Sequence, residues 1–174
     1  MLALARLGLD QVWWLTSPQN PLKSESGMAP LKERLANARR VARHPRITVT
    51  GIEQELGTRY SCDTIVKLQR RFPNLRFVWI IGADNMVQMP QWKNWEGLFR
   101  AAPVAIFDRP DYSLPALTGR VARKFASSRL PERRARCLAQ MDAPAWVFMH
   151  DWLHPISSTK IRKNVDGESS EHGK

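Results

Sequence analysis

Cysteine is scarce in this sequence, and its two copies are far apart. Cys62 and Cys137 form no CxxC pair and have no closely spaced histidine, which argues against a zinc site and a disulfide scaffold. Isolated thiols suit a reducing compartment, so we expect a cytoplasmic protein. No window approaches the roughly 18 apolar residues of a membrane-spanning helix, and we expect no membrane contact.

Several motifs that carry well-known chemistry are also missing. None of the nine glycines stands in a GxGxxG or GxxxxGKS/T pattern, which excludes the dinucleotide-type and P-loop phosphate cradles. There is no GxSxG elbow for a serine hydrolase. His150 and His154 are four residues apart but belong to no HExxH motif, so we expect no metal site.

Acidic residues are few, 16 against 27 basic ones, which gives a net charge of +11. This balance favours anionic partners such as nucleotides, nucleic acid or an acidic surface, although a generally basic solvated surface explains it too. The most basic region, residues 115–140, has almost no aromatic side chains. It therefore lacks the interleaved pattern of a single-strand binder, and nucleic acid is not the partner we expect.

The sequence does contain an alternation of short apolar strands with amphipathic helices. Five strands are predicted, near residues 11–16, 47–50, 76–81, 104–107 and 146–149. Such compact apolar runs are typical of strands that are buried on both faces. The pattern predicts one α/β domain over residues 1–165, built on a doubly wound parallel sheet, and a polar tail over residues 166–174.

Three consecutive hydroxyl side chains near the C-terminus predict a phosphate site. Ser157, Ser158 and Thr159 follow a proline and can cap a helix that begins there. The free N–H groups and the dipole of such a helix attract a phosphate, and Arg162 lies on the same helical face as Ser158. An ordinary capped helix with a solvated arginine explains the same residues, and local chemistry does not decide.

Polar residues follow two predicted strands at their carboxyl ends, where open α/β sheets bind ligands. Gly82 comes directly after strand 76–81 and would let the backbone approach a ligand closely. Asp84 is placed to accept from a ribose hydroxyl, although a helix N-cap explains it equally well. Asp108 and Arg109 form the turn after strand 104–107.

Two other pairs of residues invite a functional interpretation. Trp92 and Trp95 are three apart and can share a helical face. Tryptophans usually pack in the core, but a half-exposed ring beside a crevice could stack on an aromatic base. Glu53 and Glu55 resemble a pair of acid–base carboxylates, but alternating charges in a loop are usually solvated, so we expect no catalysis there.

Taken in order, these segments resemble bacterial nicotinate-nucleotide adenylyltransferases of the nucleotidylyltransferase superfamily. No single piece is decisive, but the ordered set is specific and covers nearly the whole chain. The matching pieces are Trp13 to Lys23, Tyr60 to Thr64, Phe77 to Asp84 with Trp92, Phe107 to Pro110, and Ile156 to Arg162. The resemblance implies a Rossmann-like nucleotidylyltransferase fold. It also implies transfer of AMP from ATP to nicotinate mononucleotide with Mg²⁺, which forms deamido-NAD and pyrophosphate in NAD biosynthesis.

The same resemblance implies roles for individual residues. The ATP phosphates would be held by Ser157, Ser158, Thr159 and Arg162. The nucleotide would be met by Gly82, Asp84 and Arg109. The nicotinate would be bound by the Trp92 ring, by Ser61 and by the backbone near Lys93. Family members often carry threonine where this chain has Ser61, and no resident metal ligand is implied.

One part of the family pattern is not in this sequence. The family begins with a strand, mid-sheet in the fold, and a GxFxPxHxGH turn whose two histidines bind and polarise the ATP phosphates. None of the four histidines present stands in such a motif. We therefore expect that about 20 residues, a strand plus its turn, are absent from the front, through a misplaced start or a truncation. We assign no catalytic residue and expect little or no adenylyltransferase activity from residues 1–174.

Two alternative functions stay open at this point. One is a sister enzyme that adenylylates another phosphorylated acceptor, such as phosphopantetheine, although Trp92 favours a flat aromatic acceptor. The other is a non-catalytic nucleotide- or RNA-binding module, which would show a salt-steep, ATP-independent affinity for RNA. The sequence does not decide between a monomer and a homo-oligomer, or between nicotinate and nicotinamide nucleotides.

Overall fold

A computed structural model describes residues 2–17 and 29–150. Its strands are β1 (Val12–Leu15), β2 (Ile47–Thr50), β3 (Trp79–Gly82), β4 (Val104–Phe107), β5 (Arg129–Leu130) and β6 (Trp146–Met149). Its α-helices are α1 (Leu2–Leu7), α2 (Leu31–Val41), α3 (Ile52–Glu55), α4 (Ser61–Arg71), α5 (Ala83–Gln88), α6 (Trp95–Ala101), α7 (Ser113–Thr118) and α8 (Arg120–Lys124). Three 3₁₀ helices span Met89–Gln91, Ala126–Ser128 and Glu132–Gln140.

The predicted α/β class and the parallel pairing are confirmed, but the strands form two sheets. β1 pairs with β2, and a separate four-stranded sheet has the order β3-β4-β6-β5. Every pairing is parallel. The single sheet that we predicted is therefore not continuous, because no described strand pairs with a member of both sheets.

The four-stranded sheet is covered on both faces, as a doubly wound fold requires. Alternate residues of β4 and β6 point to opposite faces, and the two strands contribute to two separate clusters of buried residues. The first cluster joins the sheet to helices α4 to α8 and includes Val104, Ile106, Trp146 and Phe148. The second joins it to α1 and to the 3₁₀ helix Glu132–Gln140, and it includes Ala105, Val147 and Met149.

All five predicted strands are present, and the structure differs from the prediction in where strands begin and end and in one additional strand. The third strand begins at Trp79 rather than at residue 76, and β5 was not predicted. β5 has only two residues, which is too short for any hydrophobic period. In the described part of the chain, no helix is long and apolar enough to cross a membrane.

Candidate functional site

The carboxyl ends of β3 and β4 bring together the three residues that we expected to meet a nucleotide. The two strands are parallel neighbours, with Gly82 in register with Phe107. After β3 the chain enters α5, which carries Asp84 in its first turn. After β4 it enters the turn that carries Arg109. The Nε atom of Arg109 lies 3.0 Å from Asp84 Oδ1, so opposite charges meet above the end of the sheet.

Gly82 is needed for this close approach. A methyl group at this position would overlap Asp84 Oδ1 and would lie 2.5 Å from Arg109 Nε. Its backbone is extended, with φ of −82°, so the requirement comes from space and not from a special conformation. The ion pair therefore lies directly over the backbone of Gly82.

Asp84 does not act as a helix cap. Gly82 occupies the N-cap position of α5, and Asp84 lies in the first turn without a side-chain capping bond. Its Oδ1 atom is buried and accepts no aligned hydrogen bond from the described residues. Charge attraction to Arg109, rather than an aligned hydrogen bond, holds this buried oxygen. The Asp84 side chain as a whole is 26% exposed, so the open side of the carboxylate can accept from a ligand.

The turn that carries Arg109 is held by Asp108, which our sequence interpretation did not single out. Its Oδ1 atom accepts from the backbone N–H of Arg109 at 2.7 Å and also from the Ser113 hydroxyl. Its own N–H donates to Met149 O at 3.0 Å. An aspartate directly before a turn is a common signal for such local bonds, and here it fixes the base of the Arg109 side chain.

A second group of predicted residues meets at the start of α4. Ser61 is the first residue of this helix, and the first-turn N–H groups of a helix have no intrahelical partner. The chain reaches Trp92 through a 3₁₀ turn, which the Trp92 N–H closes onto Met89 O at 2.8 Å. The half-buried Trp92 side chain packs on the first core cluster.

Two contacts tie Trp92's neighbours to α4. The Lys93 Nζ atom lies 4.6 Å from the centroid of the Tyr60 ring, and Asn94 Nδ2 donates to Cys62 Sγ at 3.2 Å. The structure therefore brings the Ser61 segment and the Trp92–Lys93 segment together, as the resemblance implied. Burial, reinforced by the neighbouring Asp63 carboxylate, raises the pKa of the Cys62 thiol.

The two tryptophans do not share a helical face. Asn94 lies between them in a left-handed conformation, with φ of 52°. Asn94 is the N-cap of α6, so the extended segment with Trp92 ends here and the helix begins at Trp95. The Trp95 side chain is 7% exposed and belongs to the core. Of these two tryptophans, Trp92 is therefore the one that a ligand can contact.

Glu53 is buried, which contradicts our expectation of a solvated side chain; Glu55 is exposed as expected. Glu53 Oε1 accepts from the Thr64 hydroxyl at 3.3 Å. That hydroxyl also lies 2.9 Å from Thr58 Oγ1, and the Thr58 N–H donates to Glu53 O at 2.9 Å. The cluster lies against the first turn of α4, one turn after Ser61.

The predicted phosphate anchor, Ser157, Ser158, Thr159 and Arg162, lies outside the described residues and stays a prediction. The strand that leads toward it ends at Met149, beside the end of β4. His150 follows, and its Nδ1 atom is 3.0 Å from Glu132 Oε2. Arg6 pairs with the same carboxylate.

The Glu132 carboxylate responds to opposing influences. Partial burial raises its pKa, but the hydrogen bonds from His150 and the charge of Arg6 outweigh burial and lower the pKa overall. Within residues 2–17 and 29–150, no group of three His, Cys, Asp or Glu residues could hold a metal ion.

Comparison with known proteins gives a consistent result over most of the chain. The family model of cytidylyltransferase-like proteins matches residues 1–164. A probable nicotinate-nucleotide adenylyltransferase of Cereibacter sphaeroides is 50% identical over 160 residues, which are 92% of this chain and 84% of the relative. One of Methylorubrum extorquens is 49% identical over 160 residues, 92% of this chain and 86% of the relative.

A third relative extends the match. A probable nicotinate-nucleotide adenylyltransferase of Rhizobium johnstonii is 44% identical over 170 residues, which are 98% of this chain and 85% of the relative. Because the family model and these relatives all cover far more than half of the sequence, the chain belongs to the cytidylyltransferase-like family.

Proposed function

We propose that this protein is a nucleotidyltransferase that transfers AMP from ATP to nicotinate mononucleotide in NAD biosynthesis. The observation that supports this most strongly is the presence of two unlike half-sites, one at the carboxyl ends of β3 and β4 and the other at the start of α4, in a chain whose relatives carry that name. We call Gly82, Asp84 and Arg109 the nucleotide half-site. Ser61, Trp92 and Lys93 form the acceptor half-site.

The reaction needs positioning more than reactive side chains. A phosphate oxygen of nicotinate mononucleotide attacks the α-phosphorus of ATP, and the bond from this phosphorus to the β-phosphate oxygen breaks. Pyrophosphate leaves with the bonding electrons, and deamido-NAD is the other product. In such an in-line displacement, the protein contributes mainly by holding the two nucleotides and by stabilising charge.

The nucleotide half-site suits the adenosine part of ATP. The Asp84 side chain is 26% exposed beside Arg109, so its carboxylate offers an acceptor for a ribose hydroxyl. Gly82 leaves the room in which the Asp84 and Arg109 side chains lie over the end of β3. Mg²⁺ would enter with ATP, held mainly by phosphate oxygens and water, and would supply charge neutralisation of the triphosphate. The predicted anchor at Ser157, Ser158, Thr159 and Arg162 would bind that triphosphate.

The acceptor half-site suits a flat anionic ring. The half-buried Trp92 offers a face for stacking, while the first-turn N–H groups at Ser61 and the segment around Lys93 can meet a carboxylate. A phosphopantetheine acceptor has no ring to stack. The non-catalytic RNA-binding alternative is not favoured, because relatives at about 50% identity are named as adenylyltransferases.

Isothermal titration calorimetry of the chain with ATP, nicotinate mononucleotide and phosphopantetheine tests the proposal. We expect binding of ATP and nicotinate mononucleotide and none of phosphopantetheine. Binding is the primary measurement, because it reports on each half-site separately. Any turnover should produce deamido-NAD and pyrophosphate in equal amounts. Binding of phosphopantetheine in place of nicotinate mononucleotide, or of neither acceptor, would contradict the proposal.

A further inference from the structure

Asn94 has an unusual backbone for a non-glycine residue. Its φ of 52° and ψ of 40° lie in the left-handed region, which asparagine tolerates better than most L-residues. Trp92, two residues earlier, is extended, with φ of −78° and ψ of 141°. Trp95, the next residue, begins α6. Asn94 is therefore the point at which the chain turns from the acceptor half-site into the core.

The Asn94 side chain connects this turn to a distant part of the sequence. Its Nδ2 atom donates to Cys62 Sγ at 3.2 Å, across 32 residues of chain. Cys62 is 6% exposed and directly follows Ser61. The bond therefore joins the segment that carries Trp92 to the first turn of α4.

Gly97 leaves the space in which this side chain lies. A methyl group at Gly97 would be 2.5 Å from Asn94 Nδ2 and 2.6 Å from Asn94 Oδ1. Glycine inside a helix is normally unfavourable, and contact with the Asn94 amide explains its presence in α6. The amide is thus packed against one helix and bonded to another.

We propose that Asn94 is a positioning residue for the acceptor nucleotide. By joining Cys62 to the turn after Lys93, it holds the Trp92 ring at a set distance from the N–H groups at Ser61, so that both can contact one acceptor. The nucleotide half-site lies on other elements, at the ends of β3 and β4, so ATP binding does not depend on this bond. This role rests on the proposed function.

The decisive variant is Asn94→Gly, because glycine keeps the left-handed backbone and removes only the side chain. Calorimetry should show that the Kd of nicotinate mononucleotide rises about three- to tenfold, the range expected for one hydrogen bond. The Kd of ATP should stay within about twofold. Asn74→Gly, in the exposed turn after α4, makes the same chemical change away from the site and should leave both Kd values unchanged.

Cys62→Ala removes the other partner and keeps the test valid if Asn94→Gly folds poorly. It should weaken nicotinate mononucleotide binding in the same direction, and the double variant should lose little more than either single one, because both remove one interaction. Additive losses, equal weakening of ATP and acceptor, or unchanged acceptor affinity would overturn the role of Asn94 alone. A wild-type chain that binds ATP but not nicotinate mononucleotide would overturn the proposed function and this role with it.

Discussion

The two half-sites of this protein are held together by different forces. At the nucleotide half-site, the Asp84 and Arg109 side chains meet as an ion pair that is partly open to water, over a glycine that leaves them room. At the acceptor half-site, the start of α4 is supported by buried hydrogen bonds among Glu53, Thr58 and Thr64. The nucleotide half-site therefore depends on steric space and charge, and the acceptor half-site depends on buried hydrogen bonds.

This difference predicts how each half-site will fail. Exposed ion pairs contribute little to folding, typically below about 1 kcal/mol, so changes at the nucleotide half-site should affect ligand binding more than stability. Buried polar groups are costly when a partner is lost, so changes under the acceptor half-site should affect stability first. Variants that remove one support at a time can separate the two cases.

The largest effect is expected from Glu53→Ala. This change leaves a cavity and removes one of the three acceptors of the Thr64 hydroxyl, which keeps Thr58 Oγ1 and Tyr60 O. We expect the free energy of unfolding to fall by about 2–4 kcal/mol, mainly through the cavity. Urea denaturation measures the change. Glu55→Ala, two residues away on the exposed side of α3, is the matched control and should stay within about 0.5 kcal/mol of wild type. Similar stabilities for the two variants would show that the Glu53 cluster does not support α4.

Gly82→Ala should have the next largest effect, and on the other half-site. The new methyl group would displace the Asp84 and Arg109 side chains from the positions in which they would meet ATP. We expect the Kd of ATP to rise about 10- to 100-fold, while that of nicotinate mononucleotide changes little.

Gly51→Ala is the control for this change. Its methyl group would meet only Leu35 side-chain carbons, the nearer at 3.4 Å, so ATP binding should be preserved. Unchanged ATP affinity in Gly82→Ala would separate this glycine from the nucleotide half-site.

The sequence predicted the nucleotide half-site better than the supports of the acceptor half-site. Gly82, Asp84 and Arg109 each follow an apolar strand, and parallel strands end at one edge of a sheet, so the local pattern indicated the edge at which they lie. Their roles toward a nucleotide came from the resemblance and stay a prediction. The apolar runs also predicted five of the six described strands. What local pattern could not show was the division into two sheets, because the choice of strand partners depends on contacts between distant residues.

The supports of the acceptor half-site depend on contacts between distant residues. Nothing near Asn94 in the sequence points to Cys62, which lies 32 positions earlier, before β3 and α5. Glu53 resembles a solvated loop residue until Thr58 and Thr64 fold over it. A weak signal was present in Gly97, since a glycine within an otherwise regular helix often marks a close contact.

The smallest effect is expected from a change at Glu132. Its partly exposed carboxylate lies beside Arg6 and beside His150, the residue that follows β6. Because the folded-state pKa of Glu132 is lowered, its ionised form stabilises the fold. That contribution is fully present above the ordinary glutamate value and is lost as pH falls through the folded pKa. Glu132→Gln should therefore be less stable than wild type near neutral pH, by about 1 kcal/mol or less for a partly exposed group.

Urea denaturation of both proteins from about pH 3 to about pH 7 measures this contribution, because the ordinary glutamate pKa of about 4.3 lies within that range. The difference between them should narrow toward zero at the acidic end. A difference that persists unchanged at low pH would mean that Glu132 acts through packing, as the buried Glu53 cluster does. Glu132 would then resemble the buried Glu53 cluster under α4 and not the Asp84–Arg109 ion pair at the end of the sheet.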